Sequence, residues 1–203
     1  AAARDRDLAE RAARAGAQVR VHSPAVGLLR EGPHVVGVRA LLDGQEREIE
    51  AGVVIGADGV ESWVGRWAGL TGPLPASEHM TCAQYTLAGL DIDPQCLRYW
   101  ISAAHAPGGY VWLFPKGEDT ANVGLGMQAD LVEEPPLAAL NRFIESRPEL
   151  SQGSVVTLVA GGVPVARPPR QIVGHGILLV GDAARQVDPL TGGGIIPAMR
   201  AGQ

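Results

Sequence analysis

The sequence predicts a mixed α/β fold in which a partly parallel layer accompanies a second, mostly antiparallel β-sheet. Two short, continuously apolar runs, residues 52–56 and 176–180, are typical of strands buried on both faces of a parallel sheet. Between them, residues 80–127 form strand-length segments separated by Pro and Gly, as an antiparallel sheet requires. These observations predict two layers of different strand direction in one chain.

The first part of the chain is predicted to form a helix and then a small antiparallel unit. Residues 5–15 place apolar side chains on one face, and Gly16 follows where a helix C-cap is expected. Asp43-Gly44 supplies the turn between the second and third strands of the unit. The predicted strands are residues 18–22, 35–42 and 46–50, followed by the buried run 52–56 and a helix over residues 61–68.

The second part of the chain is predicted to hold the antiparallel sheet and one amphipathic helix. The expected strands are residues 81–90, 96–102, 110–115, 121–127 and 154–160, with the helix over residues 136–146. The buried run 176–180 and a last helix opened by Gly192, Gly193 and Gly194 complete the pattern. We therefore divide the chain into residues 1–78 and 166–203, parts of one domain, and residues 79–165, a second domain.

Composition limits the function classes. With 203 residues, a formal net charge of −5 and dispersed basic residues, the chain offers no patch for nucleic acid. Cys82 and Cys96 are too far apart for a redox or zinc pair, so we expect no metal site and a reducing, cytoplasmic location. We expect no obligate protein partner, while a groove for a lipid substrate would bring the protein into peripheral contact with a membrane.

The strongest chemical signal begins where the second buried strand ends. Gly181 has no side chain to block a ligand, and Asp182 projects a carboxylate that can accept hydrogen bonds from sugar-like hydroxyls. Gly192, Gly193 and Gly194 allow backbone amides to approach a ring closely, and the N-terminus of the following helix stabilises negative charge there. A reduced flavin carries such a charge. An ordinary glycine-rich turn between a strand and a helix is the alternative.

This segment, GDAARQVDPLTGGGI, resembles the second FAD fingerprint of the glutathione-reductase-like flavoproteins, the group that includes para-hydroxybenzoate hydroxylase. The resemblance implies a partial FAD-binding Rossmann domain beside an antiparallel substrate domain. It also implies that Asp182 binds the ribityl chain and that the flavin ring is lined by Pro189, Gly192, Gly193, Gly194 and Ile195. About 120 residues earlier, VIGADGVES is similar to that group's strand-Asp-Gly-Ser segment, which implies that Asp58 and Gly59 lie close to the FAD.

An aromatic segment extends the resemblance to a more specific family within this group. Tyr110, Trp112 and Phe114 alternate along a predicted strand and so share one face, suited either to a long apolar chain or to covering the domain core. The string YVWLFP, eight residues and then GLG is similar to the YxWxFP…GxG substrate-cavity signature of the geranylgeranyl reductases. The resemblance assigns the substrate to Tyr110, Trp112, Phe114, Pro115, Gly124 and Gly126.

The resemblance implies an FAD-dependent oxidoreductase that reduces carbon–carbon double bonds of isoprenoid chains, with NAD(P)H or ferredoxin as the external electron donor. An FAD-dependent aromatic monooxygenase would use the same two FAD motifs, and a catalytically incomplete FAD-binding fragment is the third alternative. The chain contains no GxGxxG, the motif that would hold the ADP half of FAD, so we expect it to be part of a longer protein. No catalytic residue is assigned from the sequence.

Overall fold

The structure is a computed structural model that describes residues 2–203, with side chains from residue 5 onward. The chain folds into two compact units. One runs up to Val54 and includes Gly174–Ile177, and the other comprises Ile55–Val173 and Leu178–Gln203. The division into three segments at residues 78/79 and 165/166 is a different one and stays a prediction.

The elements follow one another in a fixed order along the chain. They are α1 (Ala2–Arg14), β1 (Ala25–Glu31), β2 (His34–Leu42), β3 (Gln45–Glu50), β4 (Val54–Gly56), α2 (Trp63–Ala68), β5 (His79–Ala88), β6 (Arg98–Trp100), β7 (Tyr110–Pro115), β8 (Thr120–Gln128), α3 (Pro136–Glu145), α4 (Pro148–Ser151), β9 (Ser154–Pro164), β10 (Val173–Gly174), β11 (Ile177–Leu179) and α5 (Ile195–Ala201).

In the first unit, α1 ends before Gly16, whose φ of 97° only glycine adopts readily, and β1, β2 and β3 form the predicted antiparallel sheet. Asp43 and Gly44 both have positive φ, as a tight hairpin turn requires. The prediction of a strand over residues 18–22 is wrong, because the first strand of the structure is β1 at Ala25–Glu31. Its pairing with β2 contains two register shifts, so the apolar alternation that would have revealed it is broken.

In the second unit, the main sheet is antiparallel throughout, with strand order β6-β7-β8-β5-β9. The predicted strands are confirmed, with β6 shorter and β9 longer than expected. One face of the sheet packs against α3, whose Leu140 and Phe143 are buried with Val111 and Leu113 of β7 in a single apolar core. No helix within residues 2–203 covers the opposite face to a comparable extent.

Strands β10, β11 and β4 form a smaller sheet in that order. The Val54 amide donates to the Gly176 carbonyl at 2.9 Å and the Val180 amide to the Gly56 carbonyl at 2.9 Å, so β4 and β11 run parallel. The prediction that residues 52–56 are buried on both faces is wrong: Val54 is buried, but Ile55 is 60% exposed. Only one face of this strand is covered by described residues.

The short helix α4, which follows the predicted helix over residues 136–146, was not predicted. Pro148 occupies its first turn, where the missing N–H costs nothing. No helix within residues 2–203 is both long enough and apolar enough to span a bilayer.

Candidate functional site

The loop from Gly181 to Gly194, here called the glycine loop, starts directly beyond β11. Gly181 adopts a positive φ of 62°, and its amide donates to Oε1 of Gln186 at 2.8 Å. The Gln186 amide donates back to the Gly181 carbonyl at 3.0 Å. This closed ring of bonds fixes the position of Asp182 just past the end of the strand.

Asp182 presents an open acceptor. Its side chain is half-buried, and this burial raises the pKa of the carboxyl above its usual value. Among the described residues, no group donates a hydrogen bond to this carboxylate. Oδ1 lies 2.9 Å from the position that a Cβ on Gly194 would occupy, so the carboxylate faces the start of α5. A partly desolvated carboxylate without donors is suited to accept hydrogen bonds from ligand hydroxyls.

Asp188, which was not predicted as a site residue, organises the middle of the glycine loop. Its Oδ1 accepts hydrogen bonds from the Leu190 amide at 3.0 Å, the Thr191 amide at 2.8 Å and the Thr191 hydroxyl at 2.9 Å. The bonds from Thr191 in particular hold the pKa of Asp188 below its usual value. The Asp-Pro-x-Thr spacing, in which an aspartate accepts from the backbone two and three residues on, could have revealed this turn.

The same loop presents the glycines that were expected to face a ring. The Gly192 amide donates to the Asp188 carbonyl at 2.9 Å, and Gly192 has a positive φ of 68°. Gly194 then caps α5, whose first residue is Ile195. The predicted opening of the last helix is confirmed, and Pro189 lies within the turn that Asp188 closes.

Asp58 has a local role in the structure. Its Oδ2 accepts a hydrogen bond from the Val64 amide at 2.8 Å, which holds the first turn of α2. Gly59 turns the chain with a φ of 79°. Because β4 and β11 are parallel, Asp58 and Gly181 follow the carboxyl ends of neighbouring strands and lie at the same edge of the small sheet. Binding of the cofactor by Asp58 and Gly59 stays a prediction.

Tyr110, Trp112 and Phe114 form an aromatic wall on the open face of the main sheet. Successive rings are 5.7 and 6.1 Å apart, while Val111 and Leu113 between them are fully buried on the other face. Tyr99 of β6 extends the wall, with its ring 5.6 Å from Tyr110. Within the described residues the apolar core lies on the other face of β7, and these three rings are not part of it.

The two glycines of the GLG segment lie beneath this wall. Gly126 is paired across the strands with Tyr110, and Gly124 with Trp112. A Cβ on Gly124 would lie 2.6 Å from Cζ2 of Trp112, so the absence of a side chain lets the indole lie close against β8. The indole nitrogen donates to Oε1 of Gln84 at 3.0 Å, which fixes the rotation of the ring. Pro115 ends β7 beyond the wall.

We expect Gly124→Ala to displace the Trp112 indole, because its new Cβ would overlap a ring that is already held by Gln84. Turnover of the isoprenoid substrate that the sequence resemblance implies should fall about tenfold in the complete protein, while the flavin absorbance stays unchanged. Gly117→Ala is the matched control, since a Cβ at Gly117 meets no atom within 4 Å. Unchanged turnover in the Gly124 variant would show that the position of the indole does not matter.

The aromatic wall and the glycine loop are in direct contact. The Tyr110 hydroxyl donates a hydrogen bond to the Thr191 carbonyl. Between them lies a cavity of about 790 Å³ with mainly apolar walls, and a second of about 310 Å³ adjoins it. The larger cavity is lined by the aromatic wall and by Gly192, Gly193 and Ile195. Seven of the predicted site residues do not line either cavity: Asp58, Gly59, Pro115, Gly124, Gly181, Asp182 and Gly194.

Cys82 lines both cavities from β5. Burial raises the pKa of its thiol to about 11. At neutral pH the thiol is therefore protonated, and it acts as a small apolar group on the cavity floor rather than as a nucleophile.

The class of protein follows from the fold. The chain superposes on a flavin-dependent brominase with a TM-score of 0.77 at 20% identity, covering 97% of this chain and 52% of the brominase. It also superposes on a geranylgeranyl bacteriochlorophyll reductase-like protein from Thermoplasma acidophilum with a TM-score of 0.91 at 42% identity, covering 97% of this chain and 50% of that one. The fold is that of FAD-dependent oxidoreductases and halogenases with a Rossmann-type domain.

Sequence comparisons show which family of proteins the chain resembles. Residues 78–163 match the model of the geranylgeranyl reductase catalytic domain. The chain is 50% identical to digeranylgeranylglycerophospholipid reductases of Methanosarcina acetivorans and Methanothrix thermoacetophila, over 98% of its length. In these residues the chain is similar to the geranylgeranyl reductase family, and it spans about half the length of these curated relatives, 49% and 50% respectively.

Proposed function

We propose that the complete protein is an FAD-dependent reductase that saturates carbon–carbon double bonds of geranylgeranyl or related isoprenoid chains. The observation that carries this proposal is the apolar cavity between the aromatic wall and the glycine loop. Its volume lies within the usual range for small-molecule sites, about 300–1,000 Å³. The names of the similar proteins from Methanosarcina and Methanothrix support a prenyl lipid as the substrate.

The residues of the glycine loop fit an FAD cofactor. Asp182 offers an open carboxylate for ribityl hydroxyls, and Pro189 with Gly192, Gly193, Gly194 and Ile195 gives a surface without bulky polar groups for the ring. When bound and reduced by an external donor of the NAD(P)H or ferredoxin class, FAD would supply a hydride to one carbon of the substrate double bond, and a proton added to the other carbon would complete the saturation. Asp188 keeps the loop in shape by fixing Leu190 and Thr191.

The substrate-facing residues bind and orient the chain. Trp112 and Phe114 offer ring faces to an apolar chain, which displaces water from the cavity. Tyr110 ties the wall to the loop through the Thr191 carbonyl, so the substrate surface and the cofactor surface are held at a fixed separation. Each residue therefore positions a reactant, which is the chief contribution of a protein to cofactor chemistry.

Exposed apolar side chains at the cavity support peripheral contact with a membrane. Ile101 is 86% exposed and Leu190 is 85% exposed, and both line the larger cavity. Large apolar side chains with such exposure are suited to insert at the surface of a bilayer. In the proposal, they face the membrane from which a prenyl lipid enters.

The second candidate function, an aromatic monooxygenase, is distinguished by its use of oxygen. The complete protein would be given a prenyl lipid and a reductant, first without oxygen and then in air. If the protein is a reductase, the lipid gains two hydrogens per double bond in the absence of oxygen, as seen by mass spectrometry. A monooxygenase consumes oxygen and leaves the prenyl chain unsaturated, and that result would contradict the proposal.

A further inference from the structure

The open face of the main sheet is arranged in three rows across the strands. Each row contains one residue from each of β7, β8, β5 and β9, as the registers of the strand pairs show. The first row, at the glycine loop, is Tyr110, Gly126, Cys82 and Gly161; the second is Trp112, Gly124, Gln84 and Val159; the third is Phe114, Asn122, Thr86 and Thr157.

The third row contains a continuous chain of hydrogen bonds. The Thr157 hydroxyl donates to the Thr86 hydroxyl at 3.0 Å, and the Thr86 hydroxyl donates to Oδ1 of Asn122 at 2.9 Å. Among the described residues, nothing accepts from the side-chain amide nitrogen of Asn122. The chain of bonds therefore ends in two unused N–H donors beside Phe114, the last aromatic residue of the wall.

Polarity on this face increases with distance from the glycine loop. The first row offers no amide, whereas the second contains Gln84, whose Oε1 accepts from the Trp112 indole and whose amide nitrogen has no acceptor among the described residues. Alternate residues of a strand are about 6.6 Å apart, so the third row lies roughly 13 Å from the first. The apolar cavity thus has donors at its middle and just beyond its far end.

The unpaired amide N–H groups determine which part of a substrate can lie on this face. A hydrocarbon chain laid over the Asn122 and Gln84 amides would remove them from water without replacing their hydrogen bonds, which is unfavourable. An oxygen atom placed there would accept those hydrogen bonds. The first row contains no side-chain amide that would lose hydrogen bonds to water, so it suits the hydrocarbon part of the substrate.

We propose that the third row, with Asn122 as its donor, binds the oxygen-bearing end of the substrate, an ether, alcohol or phosphate ester, and so orients the prenyl chain toward the glycine loop. This inference rests on the proposed prenyl reductase function. Asn122, Thr86 and Thr157 are positioning residues, because they hold the polar end of the substrate and not its reacting double bond. A role confined to pairing of the strands is the competing explanation.

The test uses the complete protein with Asn122→Leu and Thr86→Val, which keep the branched shape of each side chain and remove its polar atoms. Thr81→Val is the matched control, since Thr81 lies on β5 but on the opposite face, in line with the buried Ala83. Each protein is given a geranylgeranyl glycerol phosphate ether and, separately, a C20 tetraene hydrocarbon without oxygen. The readouts are KM, kcat and the position of the first saturated bond.

For the ether, we expect KM to rise about tenfold in both variants with little change in kcat, and the first saturated bond to become scattered instead of fixed. Kinetics with the hydrocarbon should stay as in the wild type. Equal losses with both substrates would show a role in the sheet alone and overturn the inference, as would no change with either. If the wild-type protein saturates neither substrate, the proposed function itself fails.

Discussion

Trp112→Ala in the complete protein is expected to give a soluble, yellow enzyme whose turnover of a prenyl chain falls by about tenfold or more. The indole is the centre of the aromatic wall, stacked on Phe114 and held by Gln84, and it lines both cavities. Because the core lies on the other face of β7, loss of the ring removes substrate contact and not core packing. Turnover and flavin content measured on the same preparation check this.

Leu113→Ala is the matched control, because Leu113 is the next residue of β7 and is fully buried. Truncating a buried leucine costs about 2–5 kcal/mol of unfolding free energy, so this variant should unfold at a clearly lower temperature. Trp112→Ala should melt close to the wild type. If Trp112→Ala were the less stable of the two, or kept full prenyl turnover, the assignment of Trp112 to the substrate surface would be wrong.

Asp182→Ala in the complete protein is expected to weaken FAD retention severely. Hydrogen bonds to a charged acceptor contribute about 1.5–3 kcal/mol each, and the structure leaves this carboxylate free to accept them from a ligand. The expected result is a purified protein with little flavin absorbance at 450 nm and a much smaller thermal shift on addition of FAD. A variant that keeps its flavin and its thermal shift would remove Asp182 from the cofactor site.

Asp182→Asn separates the shape of this side chain from its charge, and it should retain more flavin than the alanine variant.

The pH dependence of FAD affinity has a definite sign. Burial raises the pKa of Asp182 in the folded, ligand-free protein, whereas hydrogen bonds from bound hydroxyls would lower it. FAD affinity should therefore fall as the pH falls through this pKa, and the alanine variant should lack that dependence.

Local sequence patterns were sufficient to predict most of the second unit and the hairpin turn of the first. The alternation of Tyr110, Trp112 and Phe114 predicted their shared face because a strand turns successive side chains to opposite sides. Turn residues such as Asp43-Gly44 and the proline at the start of α3 predicted element ends, because their backbone preferences are local. The order of Gly181, Asp182 and Gly192 predicted the loop that borders the cavity.

Features that depend on strand register, or on pairing between segments far apart in the chain, could not be predicted from the sequence. Strand β1 was missed because Gly27 and two register shifts break its alternation. Likewise, the row formed by Thr86, Asn122 and Thr157 joins residues that are far apart in the chain, so only the strand registers reveal it. The exposed face of Ile55 was not foreseen, since a continuous apolar run does not tell which face is covered.

The central claim is that a prenyl chain lies in the cavity between the aromatic wall and the glycine loop, next to the flavin. It is tested most directly by a single turnover without oxygen, in which the complete protein with reduced FAD is mixed with a geranylgeranyl lipid and followed at 450 nm. We expect the flavin to be reoxidised to a greater extent as the lipid concentration rises, with one double bond saturated per flavin. A flavin that stays reduced until oxygen is admitted, with the lipid unchanged, would contradict it.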